Sequence, residues 1–389
     1  MKLFRKYFIL LMVFLNIIGF SGCRKNYSIE ISNNPENFRD IFEIFWNKMN
    51  ANYVYWDIDT TNWDNVHIKY KPLFAQLDIK NYADIKKSIQ YFNEMTDGLI
   101  DNHYYINFLS RSIADSIVYP SFIRKHKEPG FHFPYTYFSI DTNYLDKNYV
   151  LGVDNINSIN GVPLTVLSGV IAGKILFFSS NHFSLYKSYK SLGANSIKPV
   201  LQYFFNELSD LPSNIRGIII DVRSNQGGDL SDLNLLVGHF IDKPLHFGYT
   251  QSKSGNGRLD YTPWIKAFVN PQLGAKKITI PIVVLADNVS ASLSEAVVMA
   301  LKVLSNVRFV GETTWGATGP ITTQEIFNDG SFEIPNFLRV QTASCRFKYL
   351  DDKIYEGIGF PPDINIPFNI NELSSNRDTQ LEKAISLLQ

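Results

Sequence analysis

Hydrophobic and polar positions fall into three successive patterns along the chain. Near the start, Phe38, Ile41, Phe42, Ile44, Phe45 and Met49 recur three and four residues apart, which gives a helix one apolar face. Asn33 or Asn34 is placed to cap its start, as side chains that accept backbone N–H groups do. Similar spacing over 66–77 and 82–94 extends this into a small helical cap, residues 36–105. From 106 to 187 the pattern turns to short β-rich runs. Residues 149–153 and 156–164 stand out, with Asn160-Gly161 as a tight-turn signal, and a helix is predicted over 164–172. From 188 to 389 helices alternate with continuously apolar strands: strands at 217–222 and 278–286, a helix at 292–303, a strand at 307–311. Strand, turn, helix and strand in that order predict α/β layers joined by right-handed crossovers.

The first residues read as a targeting segment. Lys2, Arg5 and Lys6 precede a mostly apolar run over 7–20, then Ser21-Gly22-Cys23. The run is too short for a comfortable transmembrane span. Small residues before a cysteine resemble a bacterial lipobox, although Phe20 stands where such boxes usually carry leucine. The expectation is a signal peptide over 1–22, a lipid on Cys23 and a polar tether over 23–35. The mature chain is then an exported bacterial lipoprotein, held in the cell envelope, in the periplasm or at the surface, by a membrane it does not span. An ordinary secretory signal with an incidental cysteine is the alternative.

Composition narrows the function. The 389 residues include 37 basic and 37 acidic side chains, and a neutral chain lacks the basic surplus of a phosphate-tracking nucleic-acid binder. Apolar residues make up 45%, enough for a sizeable core. With Cys23 lipidated, Cys345 is left without an internal partner. The seven histidines show no metal-ligand spacing, so neither a zinc hydrolase nor any other cofactor is expected.

Four places can carry chemistry. Asp221-Val222-Arg223-Ser224-Asn225-Gln226-Gly227-Gly228-Asp229 ends a buried strand, and its paired glycines let the backbone turn sharply and present N–H donors to an oxyanion. It equally suits a plain strand-to-helix turn. Asp287 to Glu295 follows another buried strand and opens a helix. There Ser292 is presented outward beside a helix N-terminus, though Ser292 with Glu295 three residues on also fits a capping box. Asp101-Asn102-His103 lies between the cap and the first strands and offers a loop imidazole as a base. Glu356-Gly357, before Pro361-Pro362-Asp363, puts a carboxylate in a turn where it can orient that base.

Together and in order, these places resemble the C-terminal processing peptidase/tricorn family of serine peptidases. The resemblance rests on Trp46, Tyr53, Trp63-Asp64, Asp101-x-His103, Asp221-x-Arg223-x-Asn225-x-Gly227-Gly228, Ser292-x-Ser294-Glu295, Gly311-Glu312-Thr313-Thr314-x-Gly316 and Glu356-Gly357…Pro362-Asp363. It implies a crotonase/ClpP-like α/β core, Ser292 as nucleophile and a β-rich insert, part of which (156–164) resembles a PDZ module. Processing peptidases pair the serine with a lysine in the following glycine-threonine loop; here that position is Ala317. The tricorn-like branch instead uses an N-terminal histidine aided by a C-terminal glutamate, which His103 and Glu356 match, with Asn102 where that branch has a serine relay. The implied mechanism is attack by Ser292 on a peptide bond of a peptide or protein substrate, His103 as base, Glu356 and Asn102 orienting it, and N–H groups of Gly227, Gly228 and Leu293 as the oxyanion hole. A catalytically inactive relative that binds peptides or apolar ligands, and a structural envelope lipoprotein, are the alternatives. Oligomeric state stays open.

Overall fold

The computed structural model describes residues 35–389 except 115, 194 and 323–329. Cys23, the signal segment and the tether up to residue 34 lie outside the described residues. No helix among the described residues is long and apolar enough to cross a membrane.

The helical cap forms as its periodicity predicts. Helices α1 (Phe38–Asn52), α2 (Trp63–Phe74) and α3 (Tyr82–Thr96) each begin at an asparagine, Asn37, Asn62 and Asn81, whose side chain accepts a backbone N–H of the first turn. The cap of α1 is therefore Asn37 rather than Asn33 or Asn34. Their apolar faces meet through rings, with Phe42 and Phe74 centred 5.1 Å apart and Phe45 and Phe92 4.9 Å apart. After the cap come the short strands β1 (Tyr105–Phe108) and β2 (Ile117–Val118) and the short helices α4 (Pro120–Lys125) and α5 (Phe138–Asp141).

The middle segment differs from the expected separate insert. Strand β3 (Val150–Ile159) runs into Asn160-Gly161, both at positive φ (50° and 77°), and returns as β4 (Val162–Ile171). The helix expected over 164–172 is thus a strand. A two-residue turn of this hand leaves the following residues opposite β3, where the ladder outweighs their weak helical period. β4 continues into β5 (Ile175–Ser180), whose residues are all buried. These strands are not a free-standing PDZ-like unit, because β5 pairs in parallel with a strand of the C-terminal half.

That strand is β6 (Gly217–Asp221), reached through α6 (Leu185–Lys190) and α7 (Ile197–Ser209) and followed by α8 (Ser231–Val237), β7 (Leu245–Ser252), β8 (Ile265–Val269) and β9 (Ile282–Ala286). Then come α9 (Leu293–Lys302), β10 (Val307–Gly311), β11 (Ser331–Ile334), β12 (Leu338–Gln341), β13 (Cys345–Tyr349), β14 (Ile364–Asn365), α10 (Ile370–Ser374) and α11 (Thr379–Ser386). The central sheet has seven strands in the order β14-β10-β9-β6-β5-β4-β3. Every residue of β6 and β9 is buried, the signature of parallel strands covered on both faces. One face packs on α7, α8 and α9 through Phe204, Leu236 and Val298, and the other on α11 through Leu381 and Ala384. Two smaller sheets, β11-β12-β1-β2 and β13-β7-β8, flank it. Pairing of β1 with β12 brings the start of the described chain against its last third. This mixed α/β architecture is the class the sequence predicts.

Candidate active site

Ser292 sits where β9 gives way to α9. Its φ of +58° lies in the left-handed region, which non-glycine residues adopt only when their surroundings enforce it. Asp287 supplies much of that enforcement. Its carboxylate accepts N–H groups from Ser224 (2.9 Å), Val289 (3.1 Å) and Ser290 (3.0 Å). Ser290 Oγ accepts the Asp287 N–H (2.9 Å) and donates to the Val222 carbonyl (2.7 Å), pinning this turn to the one after β6. Ser294 Oγ donates to the Asn225 carbonyl at 2.6 Å, and the Ala291 N–H donates to the same oxygen at 3.1 Å.

Glu295 holds the next loop. Its buried carboxylate accepts from Ser292 N (3.1 Å), Gly316 N (2.8 Å), Ala317 N (2.7 Å) and Thr314 Oγ1 (2.5 Å). Burial pushes its carboxyl above the usual range against the pull of those donors. Glu295 therefore organises the loop beside the nucleophile as well as the helix start.

Of the paired glycines, Gly227 packs directly on Ser292 and Gly228 on the Phe183 backbone. A Cβ on Gly227 would lie 2.7 Å from Ser292 Cβ, and one on Gly228 would lie 2.0 Å from the Phe183 carbonyl oxygen. Both have positive φ, 96° and 146°. The Gly227 N–H donates to Asn225 Oδ1 at 2.9 Å, so Gly227 supplies room and not an oxyanion donor. The N–H groups of Gly228 and Leu293 have no acceptor among the described residues. Arg223, from the same turn, is locked into the core: its guanidinium donates to Asp221 and to Asp378, the latter at 2.8 and 2.9 Å, and lies 3.8 Å over the Tyr137 ring.

His103 shares with Ser292 a cleft of about 840 Å³ that also contains Gly227, Gly228 and Leu293. Far-separated stretches of chain thus converge on one opening. No hydrogen bond joins Ser292 to His103 among the described residues, and the buried Nδ1 of His103 has no partner. Burial lowers its pKa from the ordinary 6.5 to about 4, so the ring is neutral near pH 7 and able to accept a proton.

Behind the ring stand two buried carboxyls. Asp101, His103 and Glu356 each bring a side-chain ligand atom within 4.8 Å of the others. Glu356 Oε1 accepts the Asn102 N–H at 2.7 Å, and Oε2 accepts from Thr318 N (2.8 Å), Gly319 N (2.7 Å) and Tyr55 Oη (3.0 Å). Asp101 accepts the N–H groups of His103 and Ala343, each at 2.8 Å. All four carboxylate oxygens thus face donors, an arrangement that suits hydrogen-bonded carboxyls better than a cation. Burial raises both, Asp101 to about 7 and Glu356 well above its usual range, where the Asp101 charge adds to the effect. Asn102 links Glu356 to the histidine loop through its backbone. Its side chain turns away and donates to the Trp315 carbonyl at 3.0 Å, so the expected amide relay to the imidazole is not formed.

Ala317 is buried next to Ala291 and Trp315, and no lysine lines the cleft. Tyr55, Thr318 and Gly319, which grip Glu356, were not singled out in the sequence. Only Thr318 and Gly319 carried a signal, by following the position of the missing lysine.

Comparison with known proteins bears on the fold and the family. A model of peptidase family S41 matches residues 186–366. The carboxy-terminal processing protease CtpA of Bacillus subtilis is 34% identical over 116 residues, 30% of this chain and 22% of the relative. The nisin-resistance protein of Lactococcus lactis subsp. lactis is 28% identical over 167 residues, 41% of this chain and 49% of the relative. The matched stretches thus span less than half of either relative. A crystal structure of a candidate peptidase from Parabacteroides merdae superposes with a TM-score of 0.68 at 24% identity, covering 91% of this chain and 97% of that one. The fold is therefore that of the Parabacteroides merdae structure, and residues 186–366 are similar to peptidase family S41.

Proposed function

We propose that this chain, which is similar to peptidase family S41 over residues 186–366, is a serine peptidase in which a histidine replaces the lysine base of the C-terminal processing peptidases. Ser292 Oγ attacks a peptide carbonyl while His103 takes its proton. The oxyanion accepts from the N–H groups of Gly228 and Leu293, each such donor being worth about 3–4 kcal/mol. Collapse of the tetrahedral species breaks the C–N bond, and His103 returns the proton to the departing amine. Water, deprotonated by His103, then splits the acyl ester and restores Ser292. Glu356, fixed through Asn102 N–H, stands within 4.8 Å of the imidazole and orients the ring by hydrogen bonding. Serine–base contacts are commonly long in an empty site and tighten around substrate.

The observation that carries this reading is Ser292 held at positive φ against Gly227, on a cleft that His103 also lines. The site acts on exported peptides or proteins, with the enzyme tethered to the cell envelope through a lipid on Cys23. A fluorophosphonate probe tests the nucleophile: it should label Ser292 in the folded chain, and Ser292→Ala should lose label and on the order of 10⁶-fold in turnover. Silence of the intact, folded protein toward the probe overturns the enzyme reading. Two observations favour a second reading, that of a peptide-binding relative without turnover: Ala317 stands where the processing peptidases carry lysine, and the histidine is not bonded to the serine.

A further inference from the structure

A second, smaller cavity of about 220 Å³ opens beside Ser292 and His103. We propose that it receives an apolar side chain, aromatic or branched aliphatic, of the substrate residue that supplies the attacked carbonyl. The proposal rests on the reading of Ser292 as nucleophile and adds a substrate class to it.

The walls are apolar: Tyr119, Phe122, Phe131, Phe133, Val289 and Trp315 contribute most of the surface. Several polar groups of the lining are already engaged. Tyr119 Oη donates to the Asn102 carbonyl at 3.3 Å, and Asn102 Nδ2 donates to the Trp315 carbonyl at 3.0 Å. His132, also in the wall, is bonded through one ring nitrogen to Glu312 (3.0 Å) and through the other to the Phe133 carbonyl (2.9 Å). The unpartnered Nδ1 of His103 belongs to a ring that is neutral near pH 7, so a charged substrate group entering here would lose its water without meeting an unpaired opposite charge, which disfavours it. Size agrees: an apolar cavity of about 150 Å³ already accepts a benzene ring, so 220 Å³ accommodates a benzyl or isobutyl group.

Ala317 explains why the space exists. It lines this cavity and packs with Ala291, Trp315 and Phe131. The substitution that removes an amine base also leaves a side-chain-sized void next to the nucleophile, walled on the far side by aromatic rings of the segment 119–133.

The test uses the full chain and a set of peptides that differ only at the residue before the scissile bond. Cleavage of Phe and Leu peptides should exceed Ala by about tenfold or more in kcat/KM, since a methylene in such a pocket is worth roughly 10–200-fold, and Lys and Glu peptides should be cut least. Binding of the same peptides to the Ser292→Ala variant should follow the same order. Phe131→Ala should flatten the order, and Phe131→Leu should restore it. Cleavage with no side-chain preference, matched by indifferent binding, overturns the cavity assignment and leaves the enzyme intact. Absent cleavage and labelling with the binding order preserved overturns the enzyme and leaves the cavity. Absent cleavage with indifferent binding overturns both.

Discussion

The two halves of the site are built differently. On the nucleophile half, almost every polar group around Ser292 has its partner. Asp287 collects three backbone N–H groups, Glu295 collects three more and a hydroxyl, and Asn225 joins one turn to the other. On the base half, the ring of His103 has an unpartnered buried nitrogen, and two carboxyls that burial pushes toward their neutral forms stand behind it. Saturated networks in a low-dielectric interior rigidify. A buried polar atom left without a partner costs about 1–3 kcal/mol and marks where a structure gains most by moving. On the proposed mechanism, the Ser292 hydroxyl and the N–H groups of Gly228 and Leu293 are preassembled, and the imidazole is the part that substrate must bring into register.

The largest effect that tests this contrast comes from His103→Ala. Loss of the general base should lower kcat/KM by roughly 10²–10⁴-fold, with the fold retained in a thermal melt. The stability profile should change as well. Wild-type His103 is held neutral down to about pH 4, against an ordinary 6.5. An unfolded chain therefore binds its proton first, and wild type loses stability as pH falls from 6.5 toward 4. His103→Ala should lack that part of the acid slope in urea titrations at stepped pH. Full activity in the variant would remove the base half from the mechanism.

Gly227→Ala probes the preassembled half. Its Cβ would lie 2.7 Å from Ser292 Cβ, at a φ of +96°. Displacing the nucleophile by even an ångström costs roughly 10²-fold. We expect a loss of about that size in kcat/KM and slower fluorophosphonate labelling, with peptide affinity of the folded protein changed much less. Unaltered labelling would mean that the turn is softer than its hydrogen bonds imply.

The smallest effect is in the pH profile. A base with a free-enzyme pKa below 6.5, near 4, keeps kcat/KM high through mildly acidic pH and lets it fall only toward 4. An acid limb above 7 in the free enzyme would point to a different base.

Legibility followed distance along the chain. The cap helices, the buried strands β6, β9 and β10 and the helix after Ser292 were readable because each rests on a local period. The helix expected over 164–172 failed because a local pattern competed with a ladder to β3 and β5, which periodicity does not encode. The β-rich segment likewise joins the main sheet through the pairing of β5 with β6, a contact that no local pattern encodes. At the site, Ser292, His103, Glu356 and the glycine pair were nameable from ordered motifs. Which amide of Gly227-Gly228 is free, and where the Asn102 side chain points, were not, since each depends on a partner contributed by another part of the fold.

The sequence by itself determined that this chain makes an α/β layer with a helical cap, that a serine opens a helix after a buried strand, and that alanine stands where the processing peptidases carry an amine. These are local facts of period, turn chemistry and residue type. Tertiary structure decided that residues 101–103, 227–228, 292 and 356 meet, that two carboxyls crowd one imidazole, and that an aromatic-walled cavity opens beside Ser292. Such properties arise from burial and from contacts between segments hundreds of residues apart, where the cost of an unpaired polar atom or a lost water depends on what the rest of the chain places around it.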